Sequence, residues 1–417
     1  MEPIRAEELA KIQAKTVRTL AIGQALGGFG FGSTLSVGAI MATELSGSAA
    51  FSGAAATLST LGSAFVAIPL ANIAARRGRR YALAAGAGLA IFGAIGMILA
   101  ATFRSFPIEL GALFLLGAAT AVGLQARFAA ADIPTSRPKA RDISIVVWAT
   151  TLGAVVGPNL IAPGESLGLV MGLPHLAGPF VLTIIAQSLS TAFFWFGLKP
   201  DPLLLAQQIS GAGSSSNKKK FREALSVIRS KPIAAFAVVS IALSHMVMVS
   251  VMSMTPVHME HHGAVLALVG FTISLHIAGM YAFSPIFGWL ADRIGKIATV
   301  ILGQLILIAA LLIAGYGAQD FNSVGLGLFL LGLGWSAATV SGSALLAESV
   351  PLAQKTNVQG VSDSLMMLAG AFGGAVSGSI LAATAFLGLN LAALAPVSIV
   401  LAITGIALLR QRRAPSN

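Results

Sequence analysis

The sequence predicts an all-α polytopic membrane protein with twelve transmembrane helices in two six-helix repeats. Three observations carry this. Of 417 residues, 56% are hydrophobic and only 10% charged, with a mean hydropathy of +0.86; a soluble domain carries roughly 25% charged residues. Apolar runs of about 20 residues, the length that spans a bilayer, recur along the whole chain. Landmarks also repeat at an offset of 217: Gly78 with Gly295, Gly117 with Gly334, Pro134 with Pro351, Gly153 with Gly370 and Gly157 with Gly374.

Residues 1–18 mix acids and bases and lack the short apolar core and small-residue site of a cleavable signal. They read as a cytosolic amphipathic N-terminal segment. Spans are predicted at 19–43, 50–73, 81–102, 108–131, 143–163 and 177–198, the N-terminal six-helix bundle of 19–198. Residues 199–231, centred on a Gly/Ser run followed by lysines, form a flexible cytosolic linker. Spans at 232–256, 264–290, 297–318, 324–348, 358–384 and 388–410 make the C-terminal bundle of 232–410, and 411–417 is a cytosolic tail.

Placing both termini in the cytosol puts nearly every base at a cytosolic end: Arg76, Arg77, Arg79, Arg80, Arg137, Lys139, Arg141, Lys218 to Lys220, Arg222, Arg293, Lys296, Arg410, Arg412 and Arg413. This asymmetry follows the positive-inside rule. It accounts for the net charge of +11 through anionic lipid at the membrane surface and excludes nucleic acid as a partner. The chain has no cysteine, so neither a disulfide nor a thiolate metal site is available. It also lacks a phosphate loop and any histidine–carboxylate cluster within a span, which argues against an enzyme.

The stretch from His245 to Met280 holds five of the six histidines and half of the twelve methionines. Met248 with Met252, and His276 with Met280, are i,i+4 pairs, so each presents two donors on one helix face. Thioether and imidazole suit Cu(I) above other ions; methionine also fills gaps between helices. His276 lies about 18 Å from the outer edge of its span at 1.5 Å per residue, where a histidine needs a cavity or a partner. The 217 offset maps these four residues onto Phe31, Leu35, Ser59 and Ser63, so the repeats do not share the pattern. The predicted hairpin at 256–263 makes the two spans neighbours. Around it, His245, Met254, His258, Met259, His261 and His262 are candidates for metal entry, or members of a solvated hairpin.

Gly288-Trp-Leu-Ala-Asp292-Arg293-Ile-Gly295-Lys296 resembles the G-x-x-x-D-R-x-G-[RK] loop motif of the major facilitator superfamily. The equivalent at 71–80 is degenerate, with Ala71 and Ala75 in place of Gly and Asp. Gly153-x-x-x-Gly157-Pro158 resembles a further motif of that superfamily, one frequent in its antiporters. The resemblance implies an alternating-access transporter in which Gly288, Asp292, Arg293, Gly295 and Lys296 shape a gate. The methionine and histidine pairs also resemble those of the CcoA-type copper importers, which implies Met248, Met252, His276 and Met280 as metal ligands and a bacterial inner membrane as the location.

Three charges remain. Asp363, in the first turns of its span, suits the helix dipole, a gate or proton coupling. Arg127 either snorkels to the surface or couples to Asp132 or Asp142. The leading expectation is therefore a secondary transporter of copper, working as a monomer in the lipid bilayer with no resident cofactor. The alternative is a proton-coupled exporter of a small organic or drug-like compound, with His276 titrating. A copper sensor or assembly partner that does not transport is a third.

Overall fold

A computed structural model describes residues 5–47, 54–134, 138–159, 161–210 and 220–413. Arg137, Lys218, Lys219 and the side chains of Phe31, Leu35, Gly157, Pro158, Lys220, Arg410, Arg412 and Arg413 lie outside what is described. The described chain is almost wholly helical: α1 (Ala6–Ser46), α2 (Ala54–Arg77), α3 (Arg79–Phe103), α4 (Phe106–Ala129), α5 (Lys139–Asn159), α6 (Ile161–Val170), α7 (Gly178–Ala192), α8 (Pro202–Ser210), α9 (Lys220–Ser230), α10 (Pro232–His261), α11 (Leu266–Tyr281), α12 (Ser284–Ile294), α13 (Lys296–Tyr316), α14 (Phe321–Ser349) and α15 (Leu352–Arg413).

Each predicted span falls on these helices. The span at 143–163 is shared by α5 and α6, and that at 177–198 is α7 continued by a π turn, Phe193–Gly197. The span at 264–290 is broken between α11 and α12, where Pro285 opens the second segment. The last two lie within α15 and are joined by Ala385 alone, at φ 55° and ψ −173°. By length and apolarity, nine continuous segments among the described residues qualify as spans, with those last two counted as one segment, Leu352–Thr404.

Two compact units divide the chain. Residues 1–225 together with 350–367 form the first, and 226–349 with 368–417 the second. The first unit therefore includes the opening turns of α15, beyond the six spans expected for it. Contacts of buried charged side chains account for this. Arg79 donates from Nε to Asp132 Oδ2 at 2.7 Å and from Nη2 to Gln359 Oε1. Lys355 Nζ lies 3.4 Å from Asp132 Oδ1 and donates to the Ala131 carbonyl at 3.0 Å. Arg127 Nη2 donates to Asp363 Oδ1 at 2.6 Å. All of these ionic side chains are buried. Lys355, Gln359 and Asp363 recur every four residues, so one stripe of α15 presents all three.

This corrects two expectations. Arg127 neither snorkels nor pairs with Asp132; its carboxylate is Asp363, and Asp132 serves Arg79 and Lys355. Asp142, the other expected partner, accepts from Gln13 Nε2 at 2.6 Å. Arg79, expected at a cytosolic end facing anionic lipid, is fully buried.

The α2–α3 turn is built on Gly78, at φ 92°. A Cβ there would be strained and would also meet the Asp201 carboxylate. That carboxylate accepts from the backbone N–H of Arg80, Leu203 and Leu204, capping α8 and holding it to the turn. In the second unit α14 is the hub, packed against α10, α11, α12 and α13. Of the candidate spans among the described residues it is the most buried.

Removing one member of a buried ion pair leaves a charge with no partner, at about 3–5 kcal/mol, whereas replacing both with apolar residues is far milder. Arg127→Met is therefore expected to lower the unfolding temperature of the purified protein sharply, and Arg127→Met with Asp363→Leu to recover most of the loss. Equal damage in the single and double variants would show that the pair is not coupled. Separately, Ala385→Gly is expected to stabilise by about 1–3 kcal/mol, because the conformation held there is essentially one for glycine. A calorimetric scan that finds no gain would refute that strain.

Candidate functional site

The methionine and histidine stretch lies on α10 and α11, both in the second unit. The two helices make few contacts with each other; each packs instead along α14. The expectation that they would be direct neighbours is therefore corrected. Gly332 explains the approach of α11, since a Cβ on it would run into the His276 carbonyl and the Met280 backbone nitrogen. The small residues of α14 let a second backbone come close, as glycine does between membrane helices.

His276 is fully buried. Its Nδ1 lies 2.7 Å from the Leu328 carbonyl, which only accepts, so Nδ1 carries the proton. The lone pair is then on Nε2, which is buried and has no hydrogen-bond partner among the described residues. Met280, one turn on, and Met248 are buried, and Met252 is half-buried. Tyr281 packs its ring edge-on against Trp335 of α14, with centroids 5.7 Å apart. Trp335 Nε1 donates to His245 Nδ1 at 3.0 Å. His245, Trp335 and Tyr281 thus form an aromatic cluster that ties α10 and α11 through α14. Trp335 carried no motif or spacing signal in the sequence.

The expected entry loop is a helix. α10 runs through Pro256 to His261, so His258, Met259 and His261 occupy its last turns. His258 is buried, stacks on Phe386 at 4.1 Å and approaches the Ala318 carbonyl with Nε2 at 2.8 Å. Met259 is buried, Met254 half-buried near Gly378, and only His261 and His262 are exposed. The His262 Nδ1 lies 2.8 Å from the His258 carbonyl. Among the described residues no group of three or more His, Cys, Asp or Glu is placed to hold a metal ion. A buried His258, bonded and stacked, belongs to the packing of the helix end.

The motif at 288–296 closes α12. Gly288 is buried, Asp292 half-buried, and the Arg293 guanidinium lies 5.1 Å from the Trp289 ring. Gly295 turns the chain at φ 97°, and Lys296 pairs with Glu348 at 3.1 Å. Gly153, of the other motif, lets α5 meet α1 at Gly28. Just beyond α13, the Asp320 carboxylate sits below the usual carboxylate range because the Ser323 hydroxyl and the Asn322 and Ser323 amides donate to it, which caps α14. Sequence reasoning also passed over Glu109. It lies in the first turn of α4, fully buried, and neither carboxylate oxygen has a partner among the described residues.

Comparison with known proteins places this architecture. A curated relative, the uncharacterised MFS-type transporter YdeG of Bacillus subtilis, is 38% identical over 386 residues, 92% of this chain and 90% of its own. The riboflavin transporter RfnT of Brucella anthropi is 29% identical over 378 residues, 88% of this chain and 89% of its own. Among solved structures, the fold matches the human organic anion transporter MFSD10 with a TM-score of 0.73 at 17% identity, covering 94% of this chain and 99% of that one. It matches the proton:xylose symporter XylE with a TM-score of 0.74 at 14% identity, covering 97% and 96%. The family model of the Major Facilitator Superfamily matches residues 20–277 and 238–417, and the chain belongs to that superfamily, an integral membrane transporter rather than an enzyme.

Proposed function

We infer that this secondary transporter moves a small organic solute bearing a planar ring by alternating access, in the cytoplasmic membrane of a bacterium. The observation that carries this reading is the His245–Trp335–Tyr281 cluster in the second unit. Trp and Tyr faces bind planar rings through stacking and burial. The hydrogen bond from Trp335 to His245 fixes the indole, so less order is lost on binding. The name of the riboflavin transporter relative supports a ring-bearing solute. The distribution of Lys and Arg supports cytosolic termini, and a monomer suffices for the scheme.

Two groups suit proton coupling. His276 offers a buried lone pair on Nε2, and Glu109 a buried carboxyl group without partners. His276 would change charge in a fully buried setting, and Glu109 at the entrance of α4, which ties protonation to conformation. The Arg79–Asp132–Lys355 and Arg127–Asp363 contacts suit a gate, because opening them exposes unpaired charge.

A second reading, reduced copper, keeps one specific support: the His276 Nε2 lone pair one turn from the Met280 thioether. The sparse contact between α10 and α11 weighs against it, since four ligands on those two helices would have to converge.

Uptake into proteoliposomes under an imposed proton gradient separates the readings, with riboflavin and reduced copper as probes. The expected result is riboflavin uptake that falls at least about tenfold in Trp335→Ala. Copper uptake without riboflavin uptake, lost in His276→Ala, would replace the organic reading with the ionic one. Uptake of neither probe would overturn both. In the same assay, Glu109→Gln is expected to uncouple riboflavin uptake from the proton gradient; an unchanged gradient dependence would remove Glu109 from the coupling.

A further inference from the structure

The four arginines of 76–80 do not share one fate. Arg79 is buried in its contact with Asp132. The Arg80 guanidinium lies 4.3 Å from the Trp195 ring and 5.2 Å from the Tyr81 ring. Arg76 and Arg77, in the last turn of α2, are exposed and have no carboxylate within ion-pair distance among the described residues. The equivalent turn of the second repeat differs, because its Lys296 has Glu348. The first repeat also has Ala75 where the motif would supply an aspartate.

Arg76 and Arg77 flank a cavity of about 320 Å³ that is completed by Asn72, Ile73, Tyr81 and Ala85. Asn72 and Arg76 are one turn apart on α2, so both project to the same side. The Asn72 amide makes no hydrogen bond among the described residues, which leaves it available alongside two guanidinium groups. The other walls are apolar. On α3 they continue at helical spacing as Tyr81, Ala85, Gly88 and Phe92. Gly88 opens onto empty space, and Phe92 is 66% exposed. The cavity therefore joins a basic, hydrogen-bonding end to an apolar track along a spanning helix.

We propose that this cavity is a binding site for an anionic glycerophospholipid. Arg76, Arg77 and Asn72 hold the phosphate and its headgroup, and an acyl chain follows the α3 track. Arginine forks match phosphate oxygens in pairs, and a basic pocket between spanning helices at the membrane surface is where such headgroups concentrate. A free phosphate would use the basic end but gain nothing from the track. A zwitterionic lipid would use the track but bring its own cation to the arginines. The site belongs to α2 and α3 of the first unit, and the cluster proposed for the solute belongs to the second.

The test is native mass spectrometry of the purified full-length protein titrated with phosphatidylglycerol, phosphatidylcholine or inorganic phosphate. Phosphatidylglycerol is expected to bind in preference to the other two. The double variant Arg76→Gln/Arg77→Gln is expected to bind it about thirtyfold more weakly, at about 1 kcal/mol per arginine. Ala85→Leu, which fills the cavity and keeps both charges, is expected to weaken it as well, and Arg293→Gln, in the other repeat, to leave it intact. Phosphatidylglycerol binding unchanged in both cavity variants overturns the proposal. So does equal binding of phosphatidylcholine, which would mean an annular lipid, or competition by inorganic phosphate at equal concentration, which would mean a simple anion site.

Discussion

A charge buried among spanning helices cannot fall back on water, so it must be met by another part of the chain. That constraint organises the first unit. Arg79 and Arg127 are among the largest fully buried side chains, and both are answered by acids: Asp132 beside α4 and Asp363 on α15. Lys355 joins them through the same Asp132. The opening turns of α15 belong to the first unit for this reason. The contacts are buried, and Arg79 and Lys355 share one carboxylate. Such an arrangement suits a transporter, whose conformations must be distinct rather than graded.

The second unit solves a different problem. Its hub, α14, draws α10, α11 and α13 close by means of glycine and small residues rather than charge. Close backbones leave room for few polar side chains, and those admitted are specific. His276 is pinned by one nitrogen and left with the other unused. His245 accepts from an indole. Helices packed chiefly by van der Waals contact supply rigid walls, and a rigid wall with a few oriented polar atoms is what selective recognition of a small solute needs. The two units thus differ in what holds them, with buried ion pairs in one and close small-residue packing in the other.

The fold was legible in the sequence because its causes are local: span length, charge asymmetry, the glycine turns at Gly78 and Gly295, and the motif at 288–296. The methionine and histidine excess was legible as well, but not its geometry. A sequence shows which residues share a face of one helix, yet not which helix that face meets, and here α10 and α11 pack mainly on α14 rather than on each other. Trp335 was invisible for the same reason, since its partners His245 and Tyr281 lie 90 and 54 positions away. The stripe of Lys355, Gln359 and Asp363 was readable from its spacing. What hid it was the placing of Arg79 at the membrane surface, where it needs no partner from the chain. The histidines at 258–262 misled through composition, because a polar cluster before a glycine looks like a loop although helix geometry continues to His261.

The turn at Gly78 brings together features that had separate explanations. Asp201 caps α8 and crowds the glycine, Arg79 is drawn inward, and Arg80 rests on Trp195. One five-residue segment therefore senses the protein interior on one side and the membrane surface on the other. A lipid bound at Arg76 and Arg77 would sit two or three residues from a buried ion pair. The composition of the surrounding bilayer would then be an input to the transporter, and the same polypeptide would work at different rates in membranes of different charge.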